Sequence, residues 1–390
     1  MTSVPTRQPA LTGTPSLMRE MNVRAALGLL VEHGPLSRAE LASLTGLSKV
    51  TTGQLLGRLG ELGLAEIVGA RSGARGPNAE VHGVIASAAY VVGVDVGPRR
   101  LTASACDLVG AEGPRVRVPL PTRGPKGHPS TAVEAAVGAA LEAAGASRDR
   151  LRGVAIGLPG LVLPETGDVG FSFDLPRWQS SVRAPLEASL GVDVRIDNDV
   201  NLAAVAEHRS GAAQDVQDFV LLWVGRGIGS AIVLSGEVHR GASGAAGELG
   251  YLPVPGVELP HHISRRDKGA FQRLAGEEAI LELARAHGLD ATDAISAIEA
   301  GDPALLDAVA HRLAVGVAAV CAVVDPGLVV LTGPVAVAGG PGLCERVAEA
   351  TASIAPVHPR VVPTEVTDGA VLRGAHLIAL DNVRRFVADG

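Results

Sequence analysis

A short apolar-alternating run, Val192 to Ile196, stops in Asp197-Asn198-Asp199 and passes at once into an Ala-rich segment of strong helix formers reaching His208. That order places an amide and a carboxylate at a strand's C-terminal end and a helix's N-terminus. Such a junction belongs to an α/β sheet, which holds its ligands at that end of its strands. The chemistry suits a polyol, because Asn donates and accepts while an ionised Asp accepts from hydroxyls. The same two side chains would also serve as plain helix caps. At 390 residues the chain is too long for one ordinary core, so two or three domains are expected.

Composition narrows the class. Hydrophobic residues make up 47% and charged residues 19%, as in a globular chain. No apolar run of membrane-span length is free of Gly, Pro or charge, and the N-terminus lacks a basic-then-apolar leader, so a cytoplasmic protein is expected. Cys106, Cys321 and Cys344 are isolated, which fits a reducing compartment and offers no metal knuckle. Charge is uneven. Residues 1–84 carry eight basic and six acidic side chains, whereas the remainder carries 26 against 35. An acidic body repels phosphate, so any nucleic-acid contact belongs to the first 84 residues.

The Pro- and Thr-rich residues 1–16 read as a disordered arm. From Leu17 to Glu32, Met18, Met21, Val23, Ala26, Leu27 and Leu30 recur at helical spacing, and Gly34-Pro35 stops that helix. Ser37-Arg38-Ala39-Glu40 reads as a capping box opening a second helix to about Thr45. Gly46-Leu47 makes a turn, and Ser48 caps a third helix towards Leu59. Two short helices joined by a tight Gly-containing turn suggest a helix-turn-helix. The third helix is expected to present Ser48, Lys49, Thr51, Thr52, Gln54 and Arg58, with Val50, Leu55, Leu56 and Leu59 packed inward. Together with Ser37, these side chains suit a major groove. Ala65–Val68 and Glu80–Val84 read as strands flanking a Gly-rich tip, Gly69–Asn78, whose Arg71 and Arg75 could enter a minor groove. Double-stranded operator DNA is the partner this implies, and a small protein-interaction domain is the alternative. The domains expected are therefore 1–16, 17–86 and 87–390.

After a linker at Ile85–Ala89, Tyr90–Gly97 and Leu101–Ala105 read as strands. The turn between them, Gly97-Pro98-Arg99-Arg100, has lost an amide donor to proline and is poorly built for nucleotide transfer chemistry, although its arginines could hold an anion. The strand Leu151–Ile156 opens into Gly157-Leu158-Pro159-Gly160, where backbone could approach a ligand. The strand Phe219–Val224 ends at Gly225-Arg226-Gly227-Ile228-Gly229, and Gly244-Ala-Ala-Gly-Glu-Leu-Gly250 follows.

These stretches, with Asp325-Pro326 and Leu331-Thr-Gly-Pro334, resemble the ROK family of repressors, open reading frames and sugar kinases, from about Leu17 to Leu372. The resemblance is to its regulator branch. It implies a winged helix-turn-helix followed by a two-lobed, actin-like sugar kinase fold, and a homodimer or homotetramer. It also implies that Asn198, Asp199 and Glu248 hydrogen-bond a sugar, with Gly160 lining the pocket and Asp199 where the family kinases keep their base. This chain departs from the kinase pattern at several points. The first phosphate loop, Asp-x-Gly-Gly-Thr, is Asp95-Val96-Gly97-Pro98-Arg99 here. Arg226 replaces the threonine of Gly-Thr-Gly. Tyr251 replaces the pocket histidine, and Gln272 the sugar-binding glutamate. The zinc knuckle is missing, leaving a remnant at Asp267-Lys268-Gly269-Ala270. The expectation is a sugar-responsive repressor without kinase activity, needing neither ATP nor metal; the alternative is a sugar kinase with an appended DNA-binding domain. Gln272, Tyr251, Arg226 and Arg99 together suggest that a modified or phosphorylated sugar binds better than plain glucose.

Overall fold

Local capping sets the N-terminal elements of the computed structural model, which describes residues 15–71, 79–120, 129–179, 181–263 and 268–386. α1 (Pro15–His33) begins two residues before the expected helix, so Pro15 and Ser16 belong to it and not to an arm. Gly34, at φ 74°, ends it, and β1 (Leu36–Ser37) follows. α2 (Arg38–Thr45) opens on a complete capping box: the Ser37 hydroxyl accepts from the Glu40 N–H at 3.3 Å, and the Glu40 carboxylate accepts from the Ser37 N–H at 2.7 Å. Gly46 closes α2 in the left-handed region, and Ser48 caps α3 (Lys49–Glu61). β2 (Ala65–Arg71) and β3 (Ala79–Val84) pair antiparallel, and β1 joins β3 to make a three-stranded sheet. β2 runs past the expected Val68 through Arg71, so Arg71 stands on a strand and not in a tip. Arg75 lies outside the described residues.

Two five-stranded sheets with one strand plan carry the rest. In the first lobe, β4 (Tyr90–Val96), β5 (Arg100–Asp107) and β6 (Val116–Pro119) form an antiparallel meander. β7 (Leu151–Leu158) and β10 (Asp193–Asn198) add to it in parallel, giving the order β10-β7-β4-β5-β6. Between them lie α4 (Pro129–Ala143), the small ribbon β8 (Leu161–Val162) with β9 (Val169–Phe171), and α5 (Arg183–Leu190). α6 (Asp199–Ser210) leads to the second lobe. There β11 (Phe219–Val224), β12 (Ile228–Leu234) and β13 (Glu237–Val238) repeat the meander. After α7 (Ala270–Ala275), α8 (Glu277–Ala286), α9 (Ala294–Glu299) and α10 (Pro303–Val324), β14 (Leu328–Thr332), α11 (Pro334–Ile354) and β15 (Arg360–Pro363) complete the order β13-β12-β11-β14-β15. α12 (Ala370–Phe386) returns to pack on β4, β7 and α6.

Alternating apolar strands explain the layers. Val92, Val94 and Val96 of β4 meet Val133, Ala136 and Val137 of α4 on one face, while Val91 faces α12 on the other. α10 is long and apolar enough to cross a membrane by length and composition; here Leu305, Val309, Leu313 and Val317 enter the core of the second lobe. A third cluster bears most on function. Leu27 and Leu30 of α1 and Leu55, Leu56 and Leu59 of α3 share a buried core with Ala155 of β7, Leu202 of α6, and Val371, Ala375 and Ala379 of α12. The N-terminal unit is therefore packed on α12, which in turn packs on α6, whose first turn lines the interlobe cleft; burying each of these leucines contributes roughly 1.5–3 kcal/mol.

Candidate functional site: the interlobe cleft and the exposed face of α3

A cavity of about 610 Å³ lies between the lobes, at the C-terminal ends of β4, β7, β10 and β11. All six expected sugar-side residues, Gly160, Asn198, Asp199, Glu248, Tyr251 and Gln272, line it. Asn198 both caps a helix and lines the cavity. Its Oδ1 caps α6, accepting from the Val200 N–H at 2.8 Å and the Asn201 N–H at 3.3 Å, while its Nδ2 donates to the Gly160 carbonyl at 3.0 Å. One amide hydrogen is left for the cavity. Gly160 must be glycine, because a Cβ there would stand 2.6 Å from the Phe171 carbonyl oxygen.

Asp199 begins α6 and accepts from the Val200 N–H at 2.9 Å. Loss of hydration pushes its carboxyl up to about 7, with the charges of Asp95 and Glu248 adding to the effect. Asp95, at the end of β4, is pushed up to about 6 by burial, which Arg100 partly offsets. Glu248 projects from the single 3-10 turn after Gly247, and desolvation raises its carboxyl as well. The Tyr251 phenol is also raised, first by burial and then by Glu248. Three carboxylates thus converge on one cavity, with Phe171, Phe173 and Trp223 supplying apolar wall. That combination suits a polyhydroxylated ring, whose hydroxyls donate and whose C–H faces stack.

Two assignments are narrowed. Gln272 does not present its whole amide: its Oε1 accepts from the Ile228 N–H at 2.6 Å and its Nε2 donates to the Arg226 carbonyl at 3.0 Å, which leaves one lone pair and one amide hydrogen. It splints the Gly225–Gly229 loop, which puts it in the wall as a positioning residue. Arg226 does not offer its charge to an anion either, because its guanidinium pairs with Asp174 of the opposite lobe. Lys268 pairs with Glu278 at 2.6 Å, so among the described residues both cations that line the cavity are already matched. Arg99 is exposed and outside the lining.

Sequence reasoning missed Asp174 and the pair Asp197–Arg240. Asp197 is 8% exposed and accepts from Arg240 at 2.5 Å, from the Asn201 amide at 3.0 Å and from the Asn198 N–H at 2.8 Å. Arg240 follows β13 of the second lobe, so this contact also bridges the lobes beside the loop that carries Glu248. The excess of acids around position 198 was the one available signal.

The resemblance implied a lost zinc knuckle, and the donors present do not fit the metal. Cys106 in β5 is buried in one core and Cys321 in α10 and Cys344 in α11 in another, and burial raises all three thiols, Cys106 and Cys344 to about 12. Zinc takes thiolates or neutral imidazole in one tetrahedron. In the loop after Tyr251, the exposed His261 lies 3.3 Å from Glu258.

On α3, Ser48, Lys49 and Gln54 are exposed, Thr51 is half-buried, and Arg58 pairs with Glu61 at 3.3 Å. Thr52 and Val50 exchange their expected places: Thr52 is fully buried, its hydroxyl donating to the Ser48 carbonyl at 3.0 Å, and Val50 is 72% exposed. With Ser48 as cap, position 52 falls three, four and seven residues before Leu55, Leu56 and Leu59, which fixes it inward. Ser37 is buried as the α2 cap, which removes it from the exposed face. Arg71 reaches the Glu40 carboxylate and the Pro35 carbonyl. Arg38, unforeseen, is exposed and lies over Gly53 of α3.

The ROK family model matches residues 91–382. The DNA-binding transcriptional dual regulator NagC of Escherichia coli strain K12 is 27% identical over 274 residues, which are 70% of this chain and 66% of NagC, so the match spans about two thirds of that relative. The ROK hexokinase of Thermus thermophilus superposes with a TM-score of 0.63 at 31% identity, over 77% of this chain and all of the hexokinase. A ROK family transcriptional regulator, a homologue of the Escherichia coli MLC protein, superposes with a TM-score of 0.77 at 22% identity, over 96% of this chain and all of the regulator.

Proposed function

We propose that this chain, which belongs to the ROK family, is a sugar-responsive transcriptional repressor: residues 17–86 are a winged helix-turn-helix that binds operator DNA, and the body of residues 87–390 binds a sugar without phosphorylating it. One observation carries this reading. The cleft and the α2–turn–α3 unit are mechanically continuous, because α6, whose first turn lines the cleft, shares through Leu202 a core with α12, α1 and α3. A sugar that prefers one lobe arrangement would shift the position of α3, and only differential affinity for the two arrangements can produce such a shift. In this reading Ser48, Lys49, Thr51, Gln54 and Arg38 meet DNA, Asn198, Asp199 and Glu248 meet the sugar, and a dimer or tetramer presents two heads to a two-fold operator.

Loss of phosphoryl transfer follows from the same residues. Transfer depends on amides, hydroxyls and a metal gathered on phosphate. Here proline stiffens the β4–β5 turn, and Asp174 holds Arg226 where a hydroxyl would be needed. The rival reading, a sugar kinase, has one observation in its favour: a carboxyl raised to about 7 at Asp199, well suited to a general base. The two separate on incubation of the full chain with ATP, magnesium and a hexose panel. No ADP above background is expected, whereas one sugar should change duplex affinity. Turnover of any hexose at ordinary enzyme rates would replace the repressor reading with the kinase.

A further inference from the structure

Val50 lies in the first turn of α3, on its exposed face. The outward stripe runs Val50, Gln54, Gly57 and Glu61, at successive helical turns, while Leu55, Leu56 and Leu59 fill the opposite side. An apolar β-branched side chain 72% exposed beside Lys49 and Gln54 serves neither the core nor hydration. Nor does the fold require Gly57 to be glycine, since a Cβ built there meets no heavy atom within 4 Å. A bare position two turns on from Val50 along the same stripe does, however, let another surface come close to the helix. Lys49 and Arg38 flank this face with positive charge, as phosphate on either side of a groove would demand.

We propose that Val50 reads the C5 methyl group of a thymine in the major groove. The inference rests on the DNA-binding reading above and adds to it a determinant of base preference. The thymine methyl is the apolar group of the major-groove base edges, so an exposed apolar side chain on a groove-reading helix finds its match there. Val50 branches at Cβ and holds its methyls in one strongly preferred rotamer in a helix, which gives the contact a fixed position. Gln54, one turn on, can pair bidentately with adenine on the neighbouring step.

The test uses the full chain. A preferred duplex is enriched from a randomised pool, and each of its thymines is then replaced singly by deoxyuridine, which removes only the methyl. At one position, or at a symmetric pair, uracil should weaken binding about fourfold, the value of one buried methyl-sized group. Val50→Ala, with an unchanged thermal midpoint, should bind the thymine and uracil forms equally at that position. Insensitivity to uracil throughout, or sensitivity that persists in Val50→Ala, overturns the role of Val50 and leaves DNA binding standing. Failure to enrich any duplex overturns the DNA-binding reading and this inference with it.

Discussion

Arg226 and Asp174 meet across the interlobe cleft, the arginine from the β11–β12 turn and the aspartate from the segment after β9. An exposed pair of this kind contributes at most about 1 kcal/mol to stability, so its consequence is selectivity. With Arg226 matched by Asp174, the ionised share of Asp95, Asp199 and Glu248 leaves the cavity net negative above about pH 7 and repels anions, which reverses the expectation that a modified or phosphorylated sugar binds better than glucose. Unmodified glucose should bind more tightly than its 6-phosphate in titration calorimetry, and Asp174→Asn, which releases Arg226, should narrow that gap.

Arg240→Ala should be costly. It strips two donors from Asp197, which is 8% exposed, and leaves a buried carboxylate with incomplete partners. A loss of about 1–3 kcal/mol is expected from denaturant midpoints. Sugar affinity should fall too, because the loop leading to Glu248 loses its tie to β10. An unchanged midpoint would show that the pair is solvated in solution.

Stability should fall with rising pH. Asp199 and Asp95 hold protons in the folded chain up to about 7 and about 6, whereas the ordinary value is 3.8. From about pH 4 to about pH 7, unfolding therefore releases protons, and stability declines across that window before levelling off. Urea midpoints should be lower at about pH 8 than at about pH 5, with Asp199→Asn flattening the slope. Sugar binding should show the opposite trend, because only the ionised carboxylate accepts two hydroxyls.

Elemental analysis of chain purified without added metal should find well under one zinc per protomer. The argument is chemical: the three thiols are buried and held protonated, whereas zinc takes thiolates. Stoichiometric zinc that survives a chelator would contradict it.

The sequence by itself determined the local pieces. Ser37 with Glu40, Ser48, Gly46 and Asn198 announced helix starts and stops because capping acts over three or four residues. Alternating valines announced β4, and the acid–amide cluster at 197–199 announced a strand end that lines the cleft, both being short-range patterns. Even the helical phase of α3 was in principle legible from Leu55, Leu56 and Leu59, which turn Thr52 in and Val50 out against the polarity of each residue. Tertiary structure alone decided the rest. Gln272 lies 44 residues from Ile228, Arg226 lies 52 from Asp174, and Arg240 lies 43 from Asp197. No periodicity links such pairs. A side chain's free valences depend on which neighbours the folded chain delivers, so the sequence could name the polar residues of the cleft but not which were already satisfied.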